Sequence, residues 1–353
     1  MKLGKVFSKM GAFLMTLMVM FMTAVQFCNE ARERNFHRLL VLRPGDAEPF
    51  PMDTRLSAIV IAYKNQDLIA DIVSPRVPVG LRIFKYMKYN LAEGFTVVDN
   101  KVGRKSPVNK VEFSATQTTD STITYGLGDI VPQEDIDNAP ANYDPLGRAT
   151  EGIADLNDLN REMRTAALIF SLNSYASANR ITLSSANDKF SDKVHSTPID
   201  VIMAGLDAMI MRANTMVIGQ AAWTKLRTHP QIVSAILGNA GVTGIVSKQQ
   251  VADLFELKSL VVGPGFVNTQ KKGQTPVMAR VWGGNISLMY QDPLADTNNR
   301  ATFSLTAQFG PKVAYSYFNK DLGLQGAIEV KAGDNVKELL TAPDLGYYIE
   351  ACI

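Results

Sequence analysis

Few residues in this sequence are of a type and spacing that could do chemistry. The three histidines, His37, His195 and His229, are far apart. None forms the paired motif of a zinc protease, and no EF-hand loop or nucleophile elbow is present. Ser171, Ser174 and Ser177 lie close together but have no histidine at motif spacing. Gly126-Leu-Gly128 and Gly263-Pro-Gly265 hint at phosphate loops, yet neither completes a Walker or Rossmann pattern. Pro264 also lacks the N–H that a phosphate cradle needs, so both read as turns. Cys28 and Cys352 cannot make a zinc cage and read as two free thiols. His229, just before Pro230, reads as a structural residue at a helix junction, and His195 as a solvated loop residue. Trp223 and Trp282 read as packing residues. Asn285-Ile-Ser287 matches a glycosylation acceptor, a weak signal when single. No catalytic residue, metal site or cofactor site is assigned, and the chain is expected not to be an enzyme.

Charge gives more direction than motifs do. The formal net charge is +2 over 353 residues, so a sequence-reading nucleic-acid binder is not indicated. The distribution is uneven, however. Between residues 82 and 112, Arg82, Lys85, Lys88, Lys101, Arg104, Lys105 and Lys110 face only Glu93, Asp99 and Glu112. Between 129 and 158 the sign reverses: Asp129, Glu134, Asp135, Asp137, Asp144, Glu151, Asp155 and Asp158 face Arg148. Such segments can pair between neighbouring subunits, and Lys101, Arg104, Lys105, Glu134, Asp135 and Asp137 are the candidate interface residues. Two separately solvated surfaces are the alternative.

The elements carrying these charges can be read from periodicity. Residues 52–80 contain Pro75 and Pro78, whose preceding residues are pushed to extended backbone; they read as an arm and not a core element. Residues 81–125 read as a long hairpin with a loose tip, in which Val111, Phe113 and Ala115 share one strand face. Ile153, Leu156, Leu159, Met163, Ala166 or Ala167, and Phe170 recur at helical spacing, one apolar stripe. Asp144-Pro145 supplies a cap and a first-turn proline. A helix over about 146–175 would be ~45 Å long, a strut. An α/β lobe follows over 198–265. It has helices at 198–212, 221–227 and 230–237, strands at 215–218 and 259–262, and a capping box at Ser247 and Gln250. Strands are expected at 277–282, 286–290, 301–309, 312–317, 326–330 and 347–351.

The N-terminus stands apart. Lys2, Lys5 and Lys9 precede an apolar run from Met10 to Cys28, which reads as a signal peptide or a spanning helix of roughly 20 residues. Nothing downstream looks secreted, and Met52 immediately precedes the structured part. Residues 1–51 are therefore read as a leader, with translation expected to start at or near Met52; a retained membrane anchor is the rival.

The order arm, basic hairpin, long helix, α/β lobe and strand-rich return resembles the HK-97-like capsid fold. Residues 150–176 (TEGIADLNDLNREMRTAALIFSLNSYA) look like the spine helix of one group of tailed-bacteriophage major capsid proteins. Residues 213–237 (ANTMVIGQAAWTKLRTHPQIVSAIL), 273–292 (GQTPVMARVWGGNISLMYQD) and the ending TAPDLGYYIEA fit the same group. The resemblance runs from about residue 56 to the end. It implies an α+β fold with an N-arm (52–80) and an E-loop (81–125). A P-domain with its spine helix (126–197) and an A-domain (198–299) follow, and P-domain return strands (300–353) close the chain. It implies pentamers and hexamers that enclose double-stranded DNA without sequence-specific recognition, portal and scaffolding partners, and a procapsid that expands when DNA enters. The location implied is the virion capsid, assembled in the host bacterial cytoplasm. A membrane is expected to be involved only if residues 10–28 are retained. An encapsulin-like nanocompartment shell and a membrane-anchored or exported structural protein are the alternatives.

Overall fold

The computed structural model describes residues 68–89, 97–104, 107–110, 115–140, 143–238, 244–271, 273–297 and 299–353. The leader, residues 52–67 and the expected strand positions Val111 and Phe113 lie outside these, as does Lys105.

A short helix α1 (Ala70–Val73) leads to strand β1 (Arg76–Val79). Strands β2 (Ile83–Tyr89) and β3 (Ala115–Ser121) are the arms of a hairpin, and β4 (Ile123–Pro132) runs on into α2 (Gln133–Asp137) and the long α3 (Pro145–Ile169). Then come β5 (Arg180–Thr182), α4 (Pro198–Ala208), β6 (Thr215–Gly219), α5 (Gln220–Leu226), α6 (Pro230–Leu237), α7 (Lys248–Leu254) and β7 (Ser259–Gly263). A small hairpin of β8 (Phe266–Asn268) and β9 (Met278–Arg280) precedes β10 (Ile286–Met289), β11 (Ser304–Phe309), β12 (Val313–Asn319), β13 (Ala327–Leu340) and β14 (Gly346–Glu350).

Two five-stranded sheets organise the chain. One has the order β1-β11-β13-β12, with β4 also paired to β13; the other is β5-β14-β10-β6-β7. In the second sheet β6 and β7 are parallel, Thr215 opposite Ser259, and α5 to α7 make the crossover such a pair requires. All five residues of β6 are buried, as expected of a strand covered on both faces. Helix α3 lies on the first sheet: Asn157 Nδ2 donates to Ala332 O at 3.0 Å, and Ile153 and Ala154 pack on Val330 and Ala332.

Several local expectations hold. Asp144 caps α3 by accepting from Leu146 N, with Pro145 in the first turn. Ser247 and Gln250 make the reciprocal capping box. Both tryptophans are buried. Burial pushes the Cys352 thiol up to about 12, so this thiol is unreactive. Asn285 Oδ1 accepts from Ala351 N at 2.9 Å and Ser287 is fully buried, so the acceptor triplet is internal structure.

Other expectations are corrected. Helix α3 ends at Ile169 rather than near 175, because the chain turns at Phe170 and Leu172–Ser174 is a single 3-10 turn. Residues 68–79 are not a detached arm. Ile69, Ala70 and Val73 are buried in the core, and β1 pairs parallel with β11. The prolines that suggested an arm suit an edge strand, where a missing N–H costs nothing. Gly126 and Gly128 sit inside β4 rather than in a turn. Strand β13 runs to Leu340, ten residues past its expected end at 330, because β11 pairs with that second half. The terminal strand β14 joins the α/β sheet between β5 and β10, not the sheet of the other return strands.

Gly263 shows how tightly the lobes are set. A Cβ there would lie 2.2 Å from Trp282 Cδ1, and that indole is fully buried. Gly263→Ala is expected to lower stability by about 1–3 kcal/mol through overpacking, read as a lower urea midpoint with an unchanged slope.

Candidate assembly surfaces

The hairpin has two unlike parts. At its root, Phe84 and Tyr86 alternate with exposed Ile83 and Lys85, and the two buried rings pack on Leu305, Ala307 and Leu339 with Val77 and Val79. Three further ties hold the root. Met87 N donates to Thr297 O at 3.0 Å, Thr122 N donates to Arg82 O at 2.9 Å, and Lys337 pairs with Asp120 at 3.5 Å. Farther out, Val97, Val98, Val102 and Val108 are exposed, Val97 to 96%, and so are Lys101, Arg104 and Lys110. Among the described residues the hydrogen bonds here are local: Lys101 N donates to Asp99 Oδ1 at 3.0 Å and Asn109 Nδ2 to Asp99 O at 2.7 Å. A strip of valine and cation on an anchored root is a surface prepared for a partner.

The acidic residues lie on a different element. Glu134, Asp135 and Asp137 are exposed on α2, and Asp137 accepts from Gln133 Nε2 at 2.8 Å. Of the three, Asp135 also lines a groove of about 950 Å³ formed with β4 and the first half of α3. Leu127, Ile130, Tyr143 and Leu156 give it apolar walls, and Asp129, Asp135 and Asp155 give it acid against the cation of Arg148. Among the described residues, no ion pair joins Lys101 or Arg104 to Glu134, Asp135 or Asp137. Among the described residues the two sets of candidates are thus not paired within one subunit.

The helix stripe is the largest correction. Leu156 and Met163 are 52% and 41% exposed, and Leu159 is half-buried. The buried face of α3 runs instead through Thr150, Ile153, Ala154, Arg161, Glu162, Thr165, Ala166 and Ile169. Leu156→Asp and Met163→Lys are therefore expected to fold normally, within about 0.5 kcal/mol of the parent, and to lose particles. Thermal unfolding beside a sedimentation assay separates the two effects.

What the sequence did not reveal is the charge buried under α3. Glu162 is fully buried, and its carboxylate accepts from Ile69 N, from Ala70 N at 2.7 Å and from Trp282 Nε1. Burial pushes the carboxyl up, and these three donors pull the other way without cancelling it. Arg161, 3% exposed, donates to Asp71, to Ser74 O at 3.0 Å and to Thr306 Oγ1 at 3.2 Å. Arg76 pairs with Asp71 at 2.9 Å and Asp334 at 2.8 Å, and Lys312 Nζ with Asp158 at 2.7 Å. Burial raises the Asp71 carboxyl, but Arg161 and Arg76 together outweigh it and hold it below the usual range. This network fastens residues 69–76 to the helix, to Trp282 and to strands β11 and β13 of the first sheet. Its partners are distant in sequence, so no local pattern announces it.

Among the described residues there is no group of three or more metal-ligating side chains and no helix long and apolar enough to cross a membrane. No family model matches the sequence. The major capsid protein of Pseudomonas phage JBD67 is 50% identical over 305 residues, covering 86% of this chain and 98% of the relative. The chain belongs to the phage major capsid protein family. The major capsid protein of Burkholderia phage BcepMu is 29% identical, covering 84% and 95% of the two chains. A phage-related protein from Bordetella bronchiseptica RB50 has the same fold, with a TM-score of 0.67, 19% identity and coverage of 85% and 97%. The capsid protein of cyanophage P-SCSP1u superposes at a TM-score of 0.52 with 9% identity, covering 88% and 93%. The fold is α+β and HK-97-like, and the chain is a structural capsid subunit of the virion, not an enzyme. Such subunits associate with their own copies into shells. The nanocompartment and exported-protein alternatives are not favoured.

Proposed function

We propose that this major capsid protein builds pentamers and hexamers of an icosahedral shell in the host bacterial cytoplasm. The shell encloses double-stranded DNA, with portal and scaffolding proteins as further partners. In this reading residues 52–80 are the N-arm, 81–125 the E-loop, 126–197 with 300–353 the P-domain, and 198–299 the A-domain. Within 300–353, β14 pairs with β5 and β10 rather than with β11 to β13. Contact between copies is heterologous, the tip of one subunit meeting the acidic border of the next, and rotation closes the ring.

One observation carries this reading: a hairpin anchored by Phe84 and Tyr86 presents Lys101 and Arg104, which pair with no carboxylate among the described residues, while an apolar-walled groove rich in carboxylates also stands open. Complementary charge of this kind fixes register and excludes wrong partners. Negative-stain microscopy of the purified full chain tests it. Closed shells at low salt, fewer at ~1 M salt where the Debye length shrinks to about 3 Å, are expected. Monomers at every concentration, or shells indifferent to salt, would contradict it.

A further inference from the structure

The α/β lobe contains a buried histidine that the shell-building role does not use. His229 is 1% exposed and sits as N-cap of α6. Pro230 has no N–H, so Gln231 N is the first helix donor needing a partner. His229 Nδ1 accepts from it at 3.3 Å. On the other side of the ring, Nε2 lies 3.0 Å from Ser196 Oγ and 3.2 Å from Asp192 O. Ser196 Oγ already donates its hydrogen to Asp192 O, so Nε2 must be the donor. Gln231 Oε1 in turn accepts from Ile199 N at 3.1 Å, tying the start of α4 to the same point. One neutral tautomer, with hydrogen on Nε2, satisfies every contact.

We propose that His229 is an acid-sensitive latch that holds loop 184–197 and the start of α4 against α6 only while its ring is neutral. Protonation places a second hydrogen on Nδ1, aimed at the Gln231 N–H and at the positive end of α6. Donor then meets donor, and the cap is lost.

The surrounding charges do not rescue the cation. The Asp192 carboxylate is committed to His195 Nδ1 at 2.9 Å and Val194 N at 2.8 Å. Lys193 opposes a positive ring and Asp192 favours it. Arg227, at the end of α5, packs over Trp223 with its carbon 5.6 Å from the ring centroid; Lys225 is the other cation there, and Asp200 is exposed in the first turn of α4. Residues 244–247 and α6 carry no charge. Burial first, then Lys193, holds the His229 ring below the usual histidine range.

The sign follows directly. Because the folded value is depressed, the latch contributes fully above the unfolded histidine value of about 6.5 and is lost as pH falls through the folded value. The folding equilibrium then weakens by up to about tenfold per pH unit for the one proton taken up.

The test is the thermal midpoint of the full chain between pH 7.5 and 5.5, for the parent, His229→Asn and His195→Asn. Asparagine caps a helix without titrating. His229→Asn is expected to flatten the acid slope, and His195→Asn to keep it. An acid slope unchanged in His229→Asn would overturn the proposal. If that variant does not fold, hydrogen exchange of the parent decides: loop 184–197 should lose protection at pH 5.5, after correction for intrinsic rates, and retained protection would overturn it.

Discussion

Replacing Lys101, Arg104 and Lys105 with glutamate is expected to leave a subunit that folds and does not close into shells. Lys101 and Arg104 are exposed and make no side-chain ion pair among the described residues, so reversing them should cost the folded chain little. Surface changes of this kind stay within about 0.5 kcal/mol. At a contact between copies the same change sets acid against Glu134, Asp135 and Asp137, and like-charge juxtaposition there costs several kcal/mol. Since about 1.4 kcal/mol is tenfold in association, particle yield should fall by well over tenfold. The decisive arm adds Glu134→Lys, Asp135→Lys and Asp137→Lys in the same chain. That variant restores opposite charges and should recover particles by sedimentation. Continued failure, with an unchanged thermal midpoint, would mean that tip and groove do not meet.

Glu162→Ala is expected to have the largest effect on folding. It strands three buried donors at once: Ile69 N, Ala70 N and Trp282 Nε1. It also removes a negative charge beside Arg161, itself 3% exposed. Breaking a buried, hydrogen-bonded charge site costs about 3–5 kcal/mol, a large share of a domain's ~5–15 kcal/mol. Urea unfolding should show that loss, together with release of residues 69–76, visible as accelerated hydrogen exchange. A loss under ~1 kcal/mol would mean the carboxylate is replaceable by water. The contrast with Leu156→Asp, three residues on from the buried Ile153, is the sharpest separation of folding from assembly that this helix offers.

That contrast also marks what could be read in the sequence. Signals that act within one turn were legible: Asp144-Pro145, Ser247 with Gln250, and Pro230 each began a helix where expected. The order of elements was legible too. The buried face of α3 was not, because periodicity counts apolar residues, and here Leu156 and Met163 point outward while Arg161 and Glu162 point in. Their partners, Asp71 and Trp282, are 90 and 120 residues away. Strand β13 was cut short for a related reason. Lys331 to Leu340 contains Gly333, Asp334 and Lys337, and becomes strand only because β4, β11 and β12 pair along it. Charge segregation between 82–112 and 129–158 was plain. The sequence could not show that Lys101 and Arg104 form no ion pair with Glu134, Asp135 or Asp137 among the described residues, since that depends on where Phe84 and Tyr86 fasten the hairpin.

Cryo-electron microscopy of particles formed by the full chain tests the central claim most directly. Density for residues 97–104 should lie on the 129–143 surface of a different subunit, with Leu156 and Met163 covered by a neighbour. A particle in which the tip folds onto its own chain, leaving that groove empty, would contradict the account.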